Sequence, residues 1–259
     1  FFFVCIFVLY QRFRLLSRYF QLMQHWCPKE VEDWLISTDD TCALVDSVIA
    51  ATWPTAKHVR ILIVGVGYTK LAVALRTKSQ RYVPIVSDVD ADALRYQKLL
   101  IKSSGLQEDI KVVALDLLDI SVTLDPVDII LDKSTLDALI RLQGPQLAKK
   151  AAKQAMRRLL APDGLYLNLT MFIPESKRIF SSDRQRCLMC ELEYTQHRKS
   201  RSGRPTVKTQ WAAVYIVASS PETFNSLNGR VLAMGTYTLP LQDARKVPSY
   251  ALKPGAGFY

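Results

Sequence analysis

The stretch "RILIVGVGYTKLAVAL" (residues 60–75) decides how the chain is read. Ile61 to Val64 form a short unbroken apolar run, the mark of a strand covered on both faces. From Thr69 onward the spacing suits a helix packing back onto that strand. Between the two, Gly65 and Gly67 allow positive φ and close backbone approach to a ligand lying over a helix N-terminus. A G-x-G is generic on its own, since any tight βα turn can use one. Its place gives it weight, because it follows the first strand of an alternating run and opens a helix. The third glycine of the dinucleotide fingerprint is missing; Lys70 and Leu71 occupy that region.

Outward from this unit the alternation continues. "YVPIVSD" (82–88), "IKVVALD" (110–116), "VDIILD" (127–132) and "GLYLNLT" (164–170) read as four further strands. "ADALRYQKLLIKSSG" (91–105) is a helix ended by Gly105, and a long helix over about 145–160 is closed by "APDG". Upstream, residues 1–58 read as mostly helical. "DTCALVDSVIAAT" has an acidic start and apolar positions at helical spacing, and Pro54 stops it. Short β runs alternating with helices predict a doubly wound parallel sheet. "RCLMCELEYTQ" (186–196) and "WAAVYIVAS" (211–219) are joined by a basic linker too short for a crossover helix. They predict an antiparallel hairpin that closes the sheet edge as its sixth and seventh strands. Residues 221–259, with dispersed Pro and Gly, read as a loosely packed tail.

Composition bounds the rest. At 259 residues and 49% hydrophobic, the chain can bury one sizeable core, so one domain with extensions is expected. The net charge of +10 favours an acidic partner, with a basic soluble enzyme weighed above a nucleic-acid binder. Segment 149–208 carries fourteen Lys and Arg against five Asp and Glu, nearly the whole imbalance. That segment could dock an acidic protein or RNA. Five cysteines make no disulfide framework, which suits a reducing compartment. Cys187 and Cys190 form a lone CxxC without a second pair or nearby His, so no metal is expected. The apolar run Phe1–Tyr10 is about half the ~20 residues of a membrane span; the tail of a signal anchor, a truncated span and the start of an amphipathic helix stay open for it, with a membrane partner the less expected. Arg12, Arg14 and Arg18 leave a mitochondrial presequence as the alternative to a cytoplasmic location.

The strand ends carry the chemistry. Asp88 closes the second strand about twenty residues after the glycines, where a carboxylate can accept from both ribose hydroxyls of a nucleoside. Asp116 ends the third strand, where it could face an adenine ring, and Asp132 ends the fourth. Aspartates also cap helices and turns after strands. Three in succession beside a glycine turn favour a nucleoside site. A P-loop would need G-K-[ST] after its glycines, and there is none.

"LIVGVG", "SDVDADAL", "VALDLLD" and above all "IILDKSTLDALI" (129–140) resemble the class I S-adenosylmethionine-dependent methyltransferases. Within that class they are similar to the methyltransferase-like family marked by a D-K-G-T-L-D-A segment after the fourth strand. That family includes lysine methyltransferases acting on translation elongation factor 1-alpha and on citrate synthase. The likeness covers about residues 30–220, leaving 1–29 as an N-terminal extension. It implies a Rossmann-like seven-stranded sheet with a terminal hairpin and S-adenosyl-L-methionine as cofactor. Gly65, Gly67, Tyr68, Asp88, Val89, Asp116, Leu117 and Asp132 would hold that cofactor. A protein substrate methylated on lysine follows from the same likeness. Asp132 and Lys133 are the expected catalytic pair: Asp132 would orient the acceptor ammonium or take its proton through water, and Lys133 suits an ion pair better than a reaction. Thr135 and Asp137 would cap and brace the next helix. Ser134 stands where the family has glycine, so that turn must be reached with a Cβ present. Tyr68-Thr69 replaces a small polar pair, and the N-terminal aromatic signature is reduced to "SRYFQ" and "EDWL". Those departures motivate a second reading, a methyltransferase-fold scaffold that has lost catalysis. A third is an RNA or small-molecule methyltransferase.

Overall fold

The computed structural model describes residues 35–180, 186–199 and 205–246. The N-terminal extension and the aromatic segments "SRYFQ" and "EDW" lie outside those residues.

Helix α1 (Thr38–Thr52) starts where Ser37 accepts the Asp40 N–H at 3.0 Å, with Asp39 and Asp40 in the positive first turn. It buries Leu44, Val45, Val48 and Ile49, the i, i+1, i+4, i+5 face that its sequence pattern requires. The alternating run follows as β1 (Val59–Val64), α2 (Leu71–Lys78), β2 (Tyr82–Asp88), α3 (Ala91–Ser103) and β3 (Lys111–Ala114). After β4 (Val127–Lys133) come α4 (Thr135–Gln143), α5 (Pro145–Leu159), β5 (Leu160–Thr170) and α6 (Ile173–Phe180). β6 (Arg186–Lys199) and β7 (Pro205–Ala218) form the expected antiparallel hairpin.

The sheet order is β10-β6-β7-β5-β4-β1-β2-β3, where β10 is the two-residue strand Gln242–Asp243. β1 to β5 run parallel, and β7 enters antiparallel beside β5. The chain moves one way from β1 to β3 and the other way from β4 to β5. The switch point therefore falls between β1 and β4, and ligands of such sheets sit at the carboxyl ends of the strands there. β1 and β4 are buried along nearly their whole length, as parallel central strands must be. One face packs under α4–α6 around Leu62, Ile130, Tyr166 and Tyr215. No helix among the described residues is long and apolar enough to cross a membrane.

Four boundaries differ from the sequence reading. β3 ends at Ala114, leaving Asp116 two residues beyond it. The second helix begins at Leu71 rather than Thr69. "APDG" lies inside β5: Leu160 already pairs with Val127, and the register shifts before Leu165 pairs with Ile129. The sheet also has eight strands, because 221–246 is no loose tail. α7 (Pro221–Leu227) is capped by Ser220, and β8 (Val231–Met234) pairs with β9 (Tyr237–Pro240). Ser47 on α1 accepts the Ala233 N–H at 3.2 Å, and β10 adds to β6. Phe224, Leu227, Leu232, Met234, Leu239, Leu241 and Ala244 are all buried. Pro and Gly in this stretch punctuate short elements rather than dissolve them. A chain ending at Ser220 should accordingly lose cooperative thermal unfolding, because about seven buried apolar side chains at ~1.5–3 kcal/mol each would vanish from the core. Retained cooperative melting by circular dichroism would restore the reading as a tail.

Candidate functional site

At the carboxyl end of β1 the turn is built as a bracket. Gly65 and Gly67 both have left-handed φ, 56° and 55°. Their surroundings differ. A Cβ on Gly65 would collide with the Thr135 side chain, whose hydroxyl donates to the Val64 carbonyl at 2.7 Å. A Cβ on Gly67 would meet nothing within 4 Å. So Gly65 is demanded by packing and Gly67 faces open space. Both glycines were expected to clear room for a ligand; Gly65 clears room for Thr135, and Gly67 borders open space.

Asp88 ties this turn to the next. Its carboxylate accepts the Gly67 N–H at 2.8 Å and the Asp90 N–H at 2.9 Å. Burial pushes the carboxyl above its ordinary range, and those two N–H bonds pull it back. The Val89 N–H pulls in the same direction, and a carboxylate with about four lone-pair sites keeps some acceptor capacity after these bonds. Val89 beside it is 61% exposed, and Tyr68 is 37% exposed and stacks obliquely on Tyr96 at 5.2 Å. These are two of the few large apolar side chains turned outward among the described residues. Asp116 is exposed in the loop after β3, accepting the Leu118 N–H at 2.8 Å. Leu117 is turned into the core instead, so its side chain is not offered at this edge.

Sequence reasoning missed Gln97. It is fully buried on α3 and its amide donates to the Gly67 and Thr69 carbonyls at 2.8 and 2.9 Å, bracing the glycine turn from below. The available signal was a polar residue on the apolar stripe of an amphipathic helix, between Leu94 and Ile101.

Asp132 lies at the end of β4, as expected. It is fully buried, folded under the first turn of α4. Its carboxylate accepts the Thr135 N–H at 2.7 Å, the Leu136 N–H at 3.3 Å and the Tyr166 hydroxyl at 2.7 Å. Ser134, the formal N-cap, has φ 69° and makes no side-chain cap bond, so Asp132 caps the helix from two residues upstream. As anticipated, Ser134 reaches the left-handed turn with its Cβ present. Asp137 does brace the helix: it accepts from the Thr170 hydroxyl and from the Met171 N–H at 2.9 Å. Lys133, half-buried, closes β4. Of the expected reaction pair, Asp132 has its oxygens engaged by a helix end and a tyrosine, an arrangement that suits positioning, and Lys133 ends the strand beside it. The structure gathers Gly67, Tyr68, Asp88, Val89 and Asp116 at the carboxyl ends of β1–β3, with Asp132 beneath that edge. Phe172 and Trp211 pack on the core. Cys187 and Cys190 lie buried in β6.

No protein-family model matches the chain, and no curated protein matches its sequence. Solved structures match its shape. The YcgJ protein from Bacillus subtilis superposes with a TM-score of 0.50 at 12% identity, over 68% of this chain and 97% of that one. An O-methyltransferase family 2 protein from Planctomyces limnophilus, solved with apigenin, gives a TM-score of 0.50 at 11% identity, over 71% of this chain and 56% of that one. The likeness is one of fold, the Rossmann-like architecture of class I methyltransferases.

Two measurements test the reassignment. Asp132→Ala would strand the Tyr166 hydroxyl and two helix N–H groups, lowering folding stability by roughly 2–5 kcal/mol; an unchanged melting temperature with lost turnover would return Asp132 to catalysis. The second is pH. Desolvation raises Asp132 to about 6 and Asp137 to about 7. Both folded values lie above the unfolded value near 3.9, so the folded state holds extra protons between about pH 4 and 7. The contribution of these groups to stability must then fall as pH rises through that window. Thermal melts should shift down from pH 5 to 8, and Asp137→Asn should flatten the slope; equal slopes would mean the two carboxyls titrate normally.

Proposed function

We propose that this chain is an S-adenosylmethionine-dependent methyltransferase whose acceptor is a lysine side chain of a protein. The observation that carries the cofactor is the Asp88 carboxylate, fixed at the carboxyl end of β2 by the Gly67 and Asp90 N–H groups. The ribose hydroxyls would donate to its remaining acceptor capacity. Val89 and Tyr68 would give the adenine an apolar surface, and Asp116 an acceptor at its rim. The open space over Gly67 is where a ligand can pass close to the backbone. These groups fit a nucleoside and belong to the chain itself. When bound, the cofactor supplies the electrophilic methyl group.

The lysine acceptor rests on the "LDKSTLDA" resemblance, on the protein partner it implies, and on the absence of an N-P-P-Y tetrapeptide after β4, the stacking clamp of base-amino methyltransferases. Transfer to an amine needs in-line alignment and a neutral nitrogen. Since the carboxylate at the mouth of β4 is spent on structure, the acceptor amine reaches the site by losing its proton to solvent. The rate should then climb with pH until the amine itself has titrated.

Asp88→Ala removes a buried acceptor for the ribose, at a cost of ~1–3 kcal/mol. Titration calorimetry should show S-adenosylmethionine binding weakened roughly ten- to hundredfold; equal affinity would sink the cofactor site. For the acceptor, radiolabelled methyl offered over fractionated lysate should enter material that survives nuclease and is lost to protease. Label with the opposite sensitivity would assign a nucleic-acid substrate. No binding of S-adenosylmethionine or S-adenosylhomocysteine by the wild type would favour the scaffold.

A further inference from the structure

Helix α5, "PQLAKKAAKQAMRRL", has two unlike faces. Ala148, Ala151, Ala152, Ala155 and Leu159 are buried, small enough to seat the helix close on the sheet. Lys150, Lys153, Arg157 and Arg158 are exposed, with Lys149 half-buried beside them, and the helix holds no acid. Its neighbours extend the charge: Arg141 on α4 and Arg178 on α6 are exposed. The acids of these three helices are Asp137, buried against Thr170, and Glu175, half-buried.

The helices α1–α3 are organised differently. Lys78 pairs with Asp46 at 2.5 Å, Arg95 with Asp92 at 2.6 Å and Arg76 with Asp109 at 2.5 Å. Lys150, Lys153, Arg157 and Arg158 make no ion pair among the described residues. Like charges crowded along one helix face repel each other by a few tenths of a kcal/mol per pair. A surface that carries this cost without internal compensation is complementary to an external anion.

We propose that α5, flanked by α4 and α6, is a docking surface for the phosphate backbone of a nucleic acid. Five cations fall between Lys149 and Arg158, about 14 Å of helix at 1.5 Å per residue. That density approaches the closely spaced phosphates of a nucleic acid. An acidic protein is the lesser match, because protein interfaces are anchored by buried aromatic or apolar side chains. The outer stripe of α5 offers none, and Leu142 on α4 is the lone large apolar side chain exposed on these three helices. Without aromatic residues on the stripe there is nothing to stack a base, so the contact is to phosphates and is indifferent to sequence. The proposal is independent of the methyl acceptor, since a polyanion can tether an enzyme without being its substrate.

The test is fluorescence anisotropy of the full chain with a labelled 30-nucleotide RNA of mixed sequence, titrated from 50 to 300 mM salt. Affinity should fall with salt, with a log–log slope of about −0.7 for each phosphate contacted. Lys150→Gln/Lys153→Gln/Arg157→Gln should weaken binding at 50 mM salt by at least roughly tenfold and reduce the slope by about two. Lys98→Gln/Lys102→Gln on α3 should stay within about twofold of wild type. Unlabelled poly-U should compete as well as the mixed sequence. Three results would each overturn the proposal: no binding at 50 mM salt, an unaffected triple variant, or equal losses in both variants. Displacement by polyglutamate as effective as by RNA of equal charge would also overturn it, assigning the surface to acidic protein. Since anisotropy reads no methyl transfer, failure here leaves the lysine assignment standing, and failure of that assignment leaves this one.

Discussion

The site hangs on one buried carboxylate. Asp132 receives the first two N–H groups of α4 and the Tyr166 hydroxyl, joining a strand end, a helix start and the neighbouring strand in a single contact. By fixing the start of α4 it places Thr135, whose hydroxyl reaches back to the Val64 carbonyl and whose side chain fills the space where Gly65 would otherwise carry a Cβ. The glycine turn is thus held from beneath by the segment after β4. Its outer residue, Gly67, is then free to donate to Asp88. Two segments seventy residues apart form one mechanical unit, and the proposed nucleoside surface lies on top of it.

Burying that charge is costly, which is why the carboxyl is pushed up in spite of three hydrogen bonds. Its charge in turn helps push the neighbouring Asp137 carboxyl up, beyond what burial does. The arrangement persists because removing either acid would leave donors stranded, a larger loss than the strain of keeping it. Ser134 belongs to the same compromise. Its left-handed φ lets β4 turn sharply into α4, and its N–H finds the Leu169 carbonyl at 3.0 Å.

Much of this was legible in the sequence. The apolar runs of β1, β2 and β4 name themselves, since strands buried on both faces have no polar alternation to confuse with helix. Asp88 was readable because its distance from Gly67 is set by one βαβ unit. The direction of Asp132 was not. A carboxylate at a strand end can point up to a ligand or down beneath the next helix, and the decisive partner, Tyr166, sits thirty-four residues later in another strand, with no local pattern linking the two. The packed character of 221–246 was hidden for another reason: its elements are two to seven residues long, too short for a periodic pattern to emerge, and its burial depends on partners such as Ser47 near the start of the described residues.

The two margins of the sheet meet different solutions to the same hazard. An open strand edge invites another chain to pair with it. On one side β3 is only four residues long and begins with an exposed lysine, Lys111, which leaves little template. On the other, β6 runs for fourteen residues, and two of them, Leu188 and Met189, are met by β10. Asp243 in that short strand is clasped by Arg245 at 2.5 Å, so the plug carries its own charged latch. A residue pair that looks like the end of a connecting segment therefore acts as a guard against edge-to-edge aggregation, and proteolytic nicking before Gln242 would expose a sticky margin long before it disturbed the glycine turn after β1.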